Sequence, residues 1–358
     1  MLGAGGATLT VAGLSRGATT HTDALVLGQS ADGRLAHRAL QVGTIAASHR
    51  RRILAHLGEP DVLIARNLEM LCVAVSLLSG FPKRPRLVYE CLDIHRLLTE
   101  PGGAGLVLRR LEKQLARHVD LVLTSSPAFV TNHLGAVYGD RILLVENRVL
   151  ELEADERRPV NLQAQAGPPW VIGWFGALRC QKSLDILSEA ARIAKGQIEI
   201  IIRGRPSPAI FDDISAMVRD RPHVRFEGPY DPRELDRHYK QAHFAWGVDL
   251  YEAGANSEWL LPNRLYESVH HGCVPIGRFN TETGRFLVRH GIGIALKEVS
   301  STALVNTINA LQPDDYTALL HRQNLLPRCL TMADRTDCSD LVAALNGTLR
   351  PFAQMLTP

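Results

Sequence analysis

The sequence predicts an α/β protein made of two doubly wound domains facing each other across a cleft, and three observations predict it. Short runs rich in Val, Ile and Leu alternate with stretches of helical period, the pattern of parallel strands covered on both faces. Near mid-chain a polar, proline-capped segment, ELEADERRPVNLQAQAGPP at 151–169, interrupts the alternation, which then starts afresh. The length of 358 residues suits about two domains.

The first domain is assigned to 1–150. PDVLIARN (60–67) reads as a strand, followed by a helix through Ser79, and RLVYECLDIH (86–95) as the next strand. VLRRLEKQLARHVD (107–120) has a helical period, and DLVLTSS returns to strand. Ser126 followed by Pro127 marks a helix start, because proline lacks only an N–H that the first turn would leave unpaired. DRILLVENRV (140–149) closes the domain as a strand. The segment 151–169 is the linker, and the second domain is assigned to 170–335. There PPWVIGWFG is a strand entering a glycine turn, SLDILSEAARIA a helix, IEIIIRG a strand and HVRFEGPY a strand and turn. PRELDRHYKQA is a helix, HFAWGVDL a strand, the stretch after Pro262 a helix and CVPIG a strand. Residues 336–358 read as a terminal helix packing back on the first domain, bent near Pro351.

Composition narrows the function. Hydrophobic residues make up 46% and charged residues 22%, an ordinary globular balance. A net charge of +3, with no zinc-finger spacing and no basic tail, argues against nucleic acid as a partner. None of the six cysteines forms a CxxC pair, and most lie in apolar runs, so they read as reduced core residues of a cytoplasmic protein. The most apolar stretch, LEMLCVAVSLLSGF (68–81), is too short to span a bilayer and is interrupted by Glu69.

Four groups of residues carry chemistry. In NSEWLLPNRLYESVHHGCVPIG (256–277), a helix starting at Pro262 and Asn263 puts Leu265 and Val269 on one face and aims Glu267 the other way. Glu267 then either meets a ligand or pairs with Arg264 on the surface. His270 and His271 are adjacent and point about 100° apart on a helix, so the spacing offers no metal site. In GWFGALRCQKSLDIL (173–187), Gly176 makes a turn after a strand, and Arg179 and Lys182 follow at a helix start. Helix-start amides with two cations suit a diphosphate. Arg203 and Arg205 at the next strand end add positive field or are solvated. In YECLDIHR (89–96), a strand that persists through the segment puts Asp93 and His95 on one side, where the carboxylate orients the imidazole or serves as a base, or else the two form a hydrogen-bonded loop pair. Asp249 and Glu252 in DLYEAG suit sugar hydroxyls.

The pieces LVLTSSPAFVTNHL, VIGWFGALRCQKSLDIL, VRFEGPYDPRELDRHYKQAHFAWGVDL and LPNRLYESVHHGCVPIG occur in an order that resembles a glycosyltransferase of the two-Rossmann GT-B type, family-4-like, as in exopolysaccharide biosynthesis. They cover most of 60–290. The resemblance implies that Glu267 holds the ribose hydroxyls of a nucleotide sugar and that Arg179 and Lys182 contact its diphosphate. It implies that the segment from Leu260 to Asn263 approaches sugar and phosphates. The family usually has a first glutamate eight residues before the second. Here Trp259 stands at that place and Glu258 one residue earlier, so the acid is Glu258 with a local bulge, Glu252, or absent. A histidine that relatives carry before the aspartate is Leu92 here, with Asp93 next and His95 beyond. MLGAGGATLTVAGLSRG matches the end of a first helix and the second strand, so the expected first strand and its glycine-rich loop are missing.

The implied reaction moves a sugar from a nucleoside diphosphate to a saccharide or polyprenyl-linked acceptor, with retention of configuration. No cofactor beyond the sugar nucleotide is implied, and no metal if the cations neutralise the leaving group. The alternatives are a sugar-nucleotide epimerase or hydrolase of the same fold, and a noncatalytic nucleotide-sugar-binding protein. Arg109, Arg110, Lys113 and Arg117 in the helix at 107–120 offer either a solvated face or a contact with an anionic membrane surface, which would place the protein at the inner face of the cell membrane.

Overall fold

The computed structural model describes residues 1–15, 23–29, 43–45, 48–99, 102–153 and 166–348. Contacts group the chain into two compact units, 1–146 with the segment from Asp334 onward, and 147–333. Both are α/β with parallel strands.

Unit 1 begins with β1 (Ala12–Ser15) and β2 (Leu25–Gln29), a parallel pair. Helix α1 (Arg50–Leu57) leads to β3 (Val62–Arg66) and helix α2 (Asn67–Leu77) to β4 (Arg86–Cys91). Helix α3 (Gly103–Leu115) precedes β5 (Leu121–Thr124), and β6 (Ile142–Leu144) completes a four-stranded sheet in sequential order. Among the described residues no strand joins this sheet to the β1–β2 pair. Sequential order with right-handed crossovers stacks the connecting helices on one face. Strand alternation agrees: Tyr89 of β4 lies 5.7 Å, ring to ring, from Tyr138 on the face of the connecting segments. Val88 points the other way and packs with Leu341 and Leu345.

Unit 2 contains β7 (Val149–Leu150), β8 (Trp170–Leu178), β9 (Ile198–Pro206), β10 (Val224–Phe226), β11 (Phe244–Trp246), β12 (Val274–Arg278) and β13 (Ile294–Leu296). A last strand, β14 (Met332–Ala333), pairs with β7. The six-stranded sheet runs β10-β9-β8-β11-β12-β13. Its principal helices here are α4 (Gln181–Ile193), α5 (Asn263–His270) and α6 (Glu282–His290). The chain then re-enters unit 1 with α7 (Arg335–Asn346). A core of Trp170, Ile172, Trp174, Leu184, Leu187, Ile200, Phe244 and Trp246 is buried between the sheet and its helices. Edge-on aromatic pairs such as Trp170 with Tyr316, 5.2 Å apart, add about 1 kcal/mol each beyond area burial.

Three expectations change. The strand read at 86–95 stops at Cys91, so alternation does not carry Asp93 and His95. The strand read at 140–149 is two strands in different units. Past β6 the chain is drawn off by side chain to backbone bonds within unit 2: Asn147 donates to the Leu261 carbonyl (2.8 Å) and Arg148 to those of Cys329 and Met332 (3.0 and 3.1 Å). The sequence after Cys273 holds three strands and helices not read beforehand, α6, the edge strand β13 and the short β14. Pro351 and most of the expected linker lie outside the described residues.

Candidate functional site

The strand order of unit 2 locates the site before any side chain is considered. From β8 the chain moves outward to β9 and β10, then returns to lay β11 on the opposite side of β8. At such a reversal the loops leaving two neighbouring strands part to opposite faces, and the gap at their carboxyl ends takes ligands. The loop after β8 carries Arg179 and the loop after β11 carries Asp249. The two side chains meet there at 3.5 Å.

The turn expected at Gly176 is not there: β8 runs on through it to Leu178, and Gly176 is paired within the sheet. Gly176 and Gly204 are directly opposed in the β8–β9 pairing, with φ of 99° and 143°. A Cβ on Gly204 would lie 1.8 Å from the Gly176 carbonyl oxygen. Gly204→Ala is therefore expected to destabilise the protein by about 2–3 kcal/mol through clash and backbone strain, read as a lower urea midpoint at unchanged slope. Beyond the end of β8 Cys180 caps α4, its sulfur accepting from the Ser183 amide at 3.4 Å. Lys182 stands exposed in the first turn, and Arg179 just before it.

Asp249 organises the cations. Its buried carboxylate lies 3.5 Å from both Arg179 and Arg264, and accepts from the Ser257 hydroxyl (2.6 Å) and the Tyr251 amide (3.0 Å). Burial alone pushes this carboxyl up. Arg264, the Ser257 hydroxyl, Arg179 and the Tyr251 amide together outweigh burial and hold it below the usual carboxylate range. The Arg179 guanidinium also lies over the Tyr251 ring, 5.1 Å from its centre.

Helix α5 brings Glu267 beside this group. Leu265, Tyr266 and Val269 pack with Leu261, Phe286 and Leu287, so Glu267 turns away from that core as the spacing predicts. The surface pairing of Glu267 with Arg264 gives way to another arrangement, in which Arg264 goes to Asp249 and Glu267 accepts from the buried Tyr239 hydroxyl at 3.0 Å. Burial raises the Glu267 pKa, opposed by the Tyr239 hydrogen bond and by Arg264. Asn263 opens the helix and is exposed. His271 stacks on Tyr239 (5.4 Å, 17°) and lies 3.3 Å from Asp236, while His270 lies 3.7 Å from Glu151. Among the described residues no group of three or more His, Cys, Asp and Glu side chains is arranged to hold a metal ion.

Other predicted site residues are engaged elsewhere. Glu258 accepts from Arg278 (2.5 Å) and from the Gly254 amide (3.0 Å), which fastens the 249–258 loop to the end of β12. Arg203 is paired with Glu227 at 2.7 Å, because the parallel neighbours β9 and β10 place position 227 next to it. In unit 1, Asp93 is exposed after β4, and His95 accepts from the Leu97 amide through Nδ1 (3.1 Å), capping the short helix Arg96–Thr99. Ser257, Tyr239 and Arg278 were not singled out from the sequence. A single hydroxyl or cation carries no local signal of a partner supplied by a distant segment.

No family model matches the chain. The chain is 42% identical over 353 residues to the succinoglycan biosynthesis protein ExoL of Rhizobium meliloti, covering 96% of this chain and 87% of that protein. Among solved structures it superposes on Anabaena Alr3699/HepE in complex with UDP-glucose, with a TM-score of 0.61 at 18% identity, over 92% of this chain and 87% of that one. It also superposes on sucrose-phosphate synthase from Thermosynechococcus elongatus, with a TM-score of 0.64 at 14% identity, over 91% of this chain and 82% of that one. These two structures share the architecture of paired Rossmann-like domains found here. The two superpositions show that the fold is GT-B, and the extent of the identity shows that the chain belongs to the family of the succinoglycan biosynthesis protein ExoL.

Proposed function

We propose that the protein transfers a sugar from a nucleoside-diphosphate sugar to a saccharide or polyprenyl-linked acceptor in the cytoplasm, with retention of configuration and without a metal ion. The observation that carries this reading is the cluster of Arg179, Arg264 and Asp249 at the strand-order reversal, with Glu267 on the adjoining helix. As the anomeric bond breaks, negative charge grows on the diphosphate. Arg179, Lys182 and the amides at the start of α4 stabilise it, which is why no metal is required in this scheme. Glu267 accepts hydrogen bonds from the ribose hydroxyls, and the Asn263 end of α5 and the Gly176 position near the end of β8 let the backbone approach the donor. Glu258 serves to hold its loop, and Arg203 stays with Glu227. Asp93 and His95 act on the sugar and acceptor side. The solved relative in complex with UDP-glucose makes a UDP-sugar the first donor to test.

Calorimetry with UDP, GDP, ADP and CDP tests the reading. One of them is expected to bind, and Glu267→Ala to weaken it about ten- to a hundredfold, the worth of a charged hydrogen-bonding partner. Since burial raises the Glu267 pKa, wild-type affinity is expected to fall as the pH drops toward that value and the carboxylate protonates. No binding by folded protein would defeat the donor site. Turnover without dependence on any acceptor favours the epimerase or hydrolase, and transfer abolished by EDTA and restored by a divalent cation defeats metal independence.

A further inference from the structure

Arg264 and Glu267 lie three apart on α5, the spacing at which a base and an acid pair along one helix. Among the described residues no ion pair joins them. Arg264 goes to Asp249, and the one hydrogen bond of the Glu267 carboxylate comes from the Tyr239 hydroxyl, which donates to Oε2 at 3.0 Å. Tyr239 ends the short helix Leu235–Tyr239 and is fully buried. Its ring is held from two sides, by the edge contact with Phe175 of β8 (4.6 Å, 64°) and by the stacked ring of His271. Ile201, Ala242, Ala245 and Cys273 complete the packing around it. In so close a core the hydroxyl sits at a fixed point, and the glutamate has to come to it.

Satisfying a buried phenol does not call for a charge. Tyr316, in the same unit, directs its hydroxyl to the His243 carbonyl at 3.4 Å, a neutral acceptor. Glu267 is half-buried, and withdrawing a carboxylate from water to serve a hydroxyl costs more than the hydrogen bond returns. We propose that Tyr239 is a positioning residue of the donor site: its hydroxyl holds Oε2 of Glu267, keeps the carboxylate off Arg264 and leaves Oε1 to the ribose of a nucleoside diphosphate. This role rests on the donor reading of Glu267. The ligand then accounts for the charge, and the tyrosine for its remaining available beside an arginine.

The electrostatics of the carboxylate agree with this role. Tyr239, Arg264 of its own helix and Tyr230 beyond β10 are the groups that act on it or respond to it. Burial, with the nearby carboxylate, pushes the Tyr230 phenol up to about 12 and the Tyr239 phenol well above its usual value, so both are protonated donors wherever Glu267 titrates. Burial raises the Glu267 pKa, and the Tyr239 hydrogen bond and Arg264 oppose it. Loss of the hydroxyl therefore moves that pKa further up.

The test is calorimetry on wild type, Tyr239→Phe, Glu267→Ala and the double variant, with whichever of UDP, GDP, ADP and CDP binds wild type most tightly. Tyr239→Phe keeps the ring and its packing, and is expected to weaken binding about three- to tenfold. In the Glu267→Ala background the same change should alter affinity by less than about twofold, because the hydroxyl acts through the carboxylate. The preference for the ribonucleotide over its 2′-deoxy counterpart should shrink in Tyr239→Phe, and its loss of affinity in acid should begin at a higher pH than in wild type. A role in packing alone would move neither. Tyr239→Phe that binds like wild type while Glu267→Ala binds weakly overturns the proposal and leaves the donor site standing. So does an equal loss in both backgrounds, or thermal unfolding that shows the hydroxyl to be needed for folding. Binding of no diphosphate by folded wild type defeats the donor site itself, and this role with it.

Discussion

Arg179→Ala is expected to lower kcat for sugar transfer by about 10²- to 10³-fold, the usual cost of removing one fixed donor from a developing anion. Arg179 is held from two sides, by Asp249 at 3.5 Å and by the face of Tyr251 at 5.1 Å, so its charge is in place before the bond breaks. That preorganisation makes the effect fall on kcat. Lys182 is exposed, and its flexible stem must be ordered on use, so Lys182→Ala should cost less. Steady-state kinetics with saturating donor separates the outcomes. If Arg179→Ala raised KM at unchanged kcat, the arginine would hold donor and transition state alike and contribute nothing specific to the chemical step.

The second large effect concerns Asp249→Ala. Removing this carboxylate leaves Arg264, a largely buried cation, facing Arg179 without its ion-pair partner and with Glu267 as the remaining acid beside it, and the Ser257 hydroxyl and Tyr251 amide without their acceptor. Breaking a buried pair from one side costs about 3 kcal/mol or more, and the partial exposure of Arg179 places this case at the lower end. Urea denaturation should show it. Folding lowers the Asp249 pKa, so its stabilisation is complete above the unfolded carboxyl value near pH 4 and is lost as the pH falls through the lower folded value. The stability gap between wild type and Asp249→Asn should therefore narrow below about pH 4. A gap that stayed constant into strong acid would remove the ion pairs from the explanation.

The site was legible where its information is local. The spacing of Leu265, Val269 and Glu267 on a single helix is enough to aim the glutamate away from the core. The strand end followed by Arg179, Lys182 and a helix start likewise lies within one short segment, although the turn expected at Gly176 proves to be strand. Asp249 is a different case. Its meaning depends on β11 lying beside β8, seventy residues earlier, and strand order leaves no trace in local periodicity. The same holds for Arg203, whose partner Glu227 is supplied by the adjacent strand, and for Glu258, whose partner Arg278 ends β12. In each case a side chain that reads as an exposed charge is already spoken for across the sheet. The break of β4 at Cys91 was hidden for a related reason: LDIH continues an apolar alternation, but His95 spends its acceptor nitrogen on capping the next helix.

The short pairing of β7 with β14 sets Val149 against Met332, so the chain enters and leaves unit 2 at adjoining points. Unit 1, by contrast, is completed only when Leu341 and Leu345 of α7 arrive to cover Val88 and Leu121. During synthesis every residue of the later unit is available before the earlier unit has its last helix. Unit 2 can thus assemble first on the ribosome, while unit 1 waits, with part of its apolar sheet uncovered, for α7 to emerge.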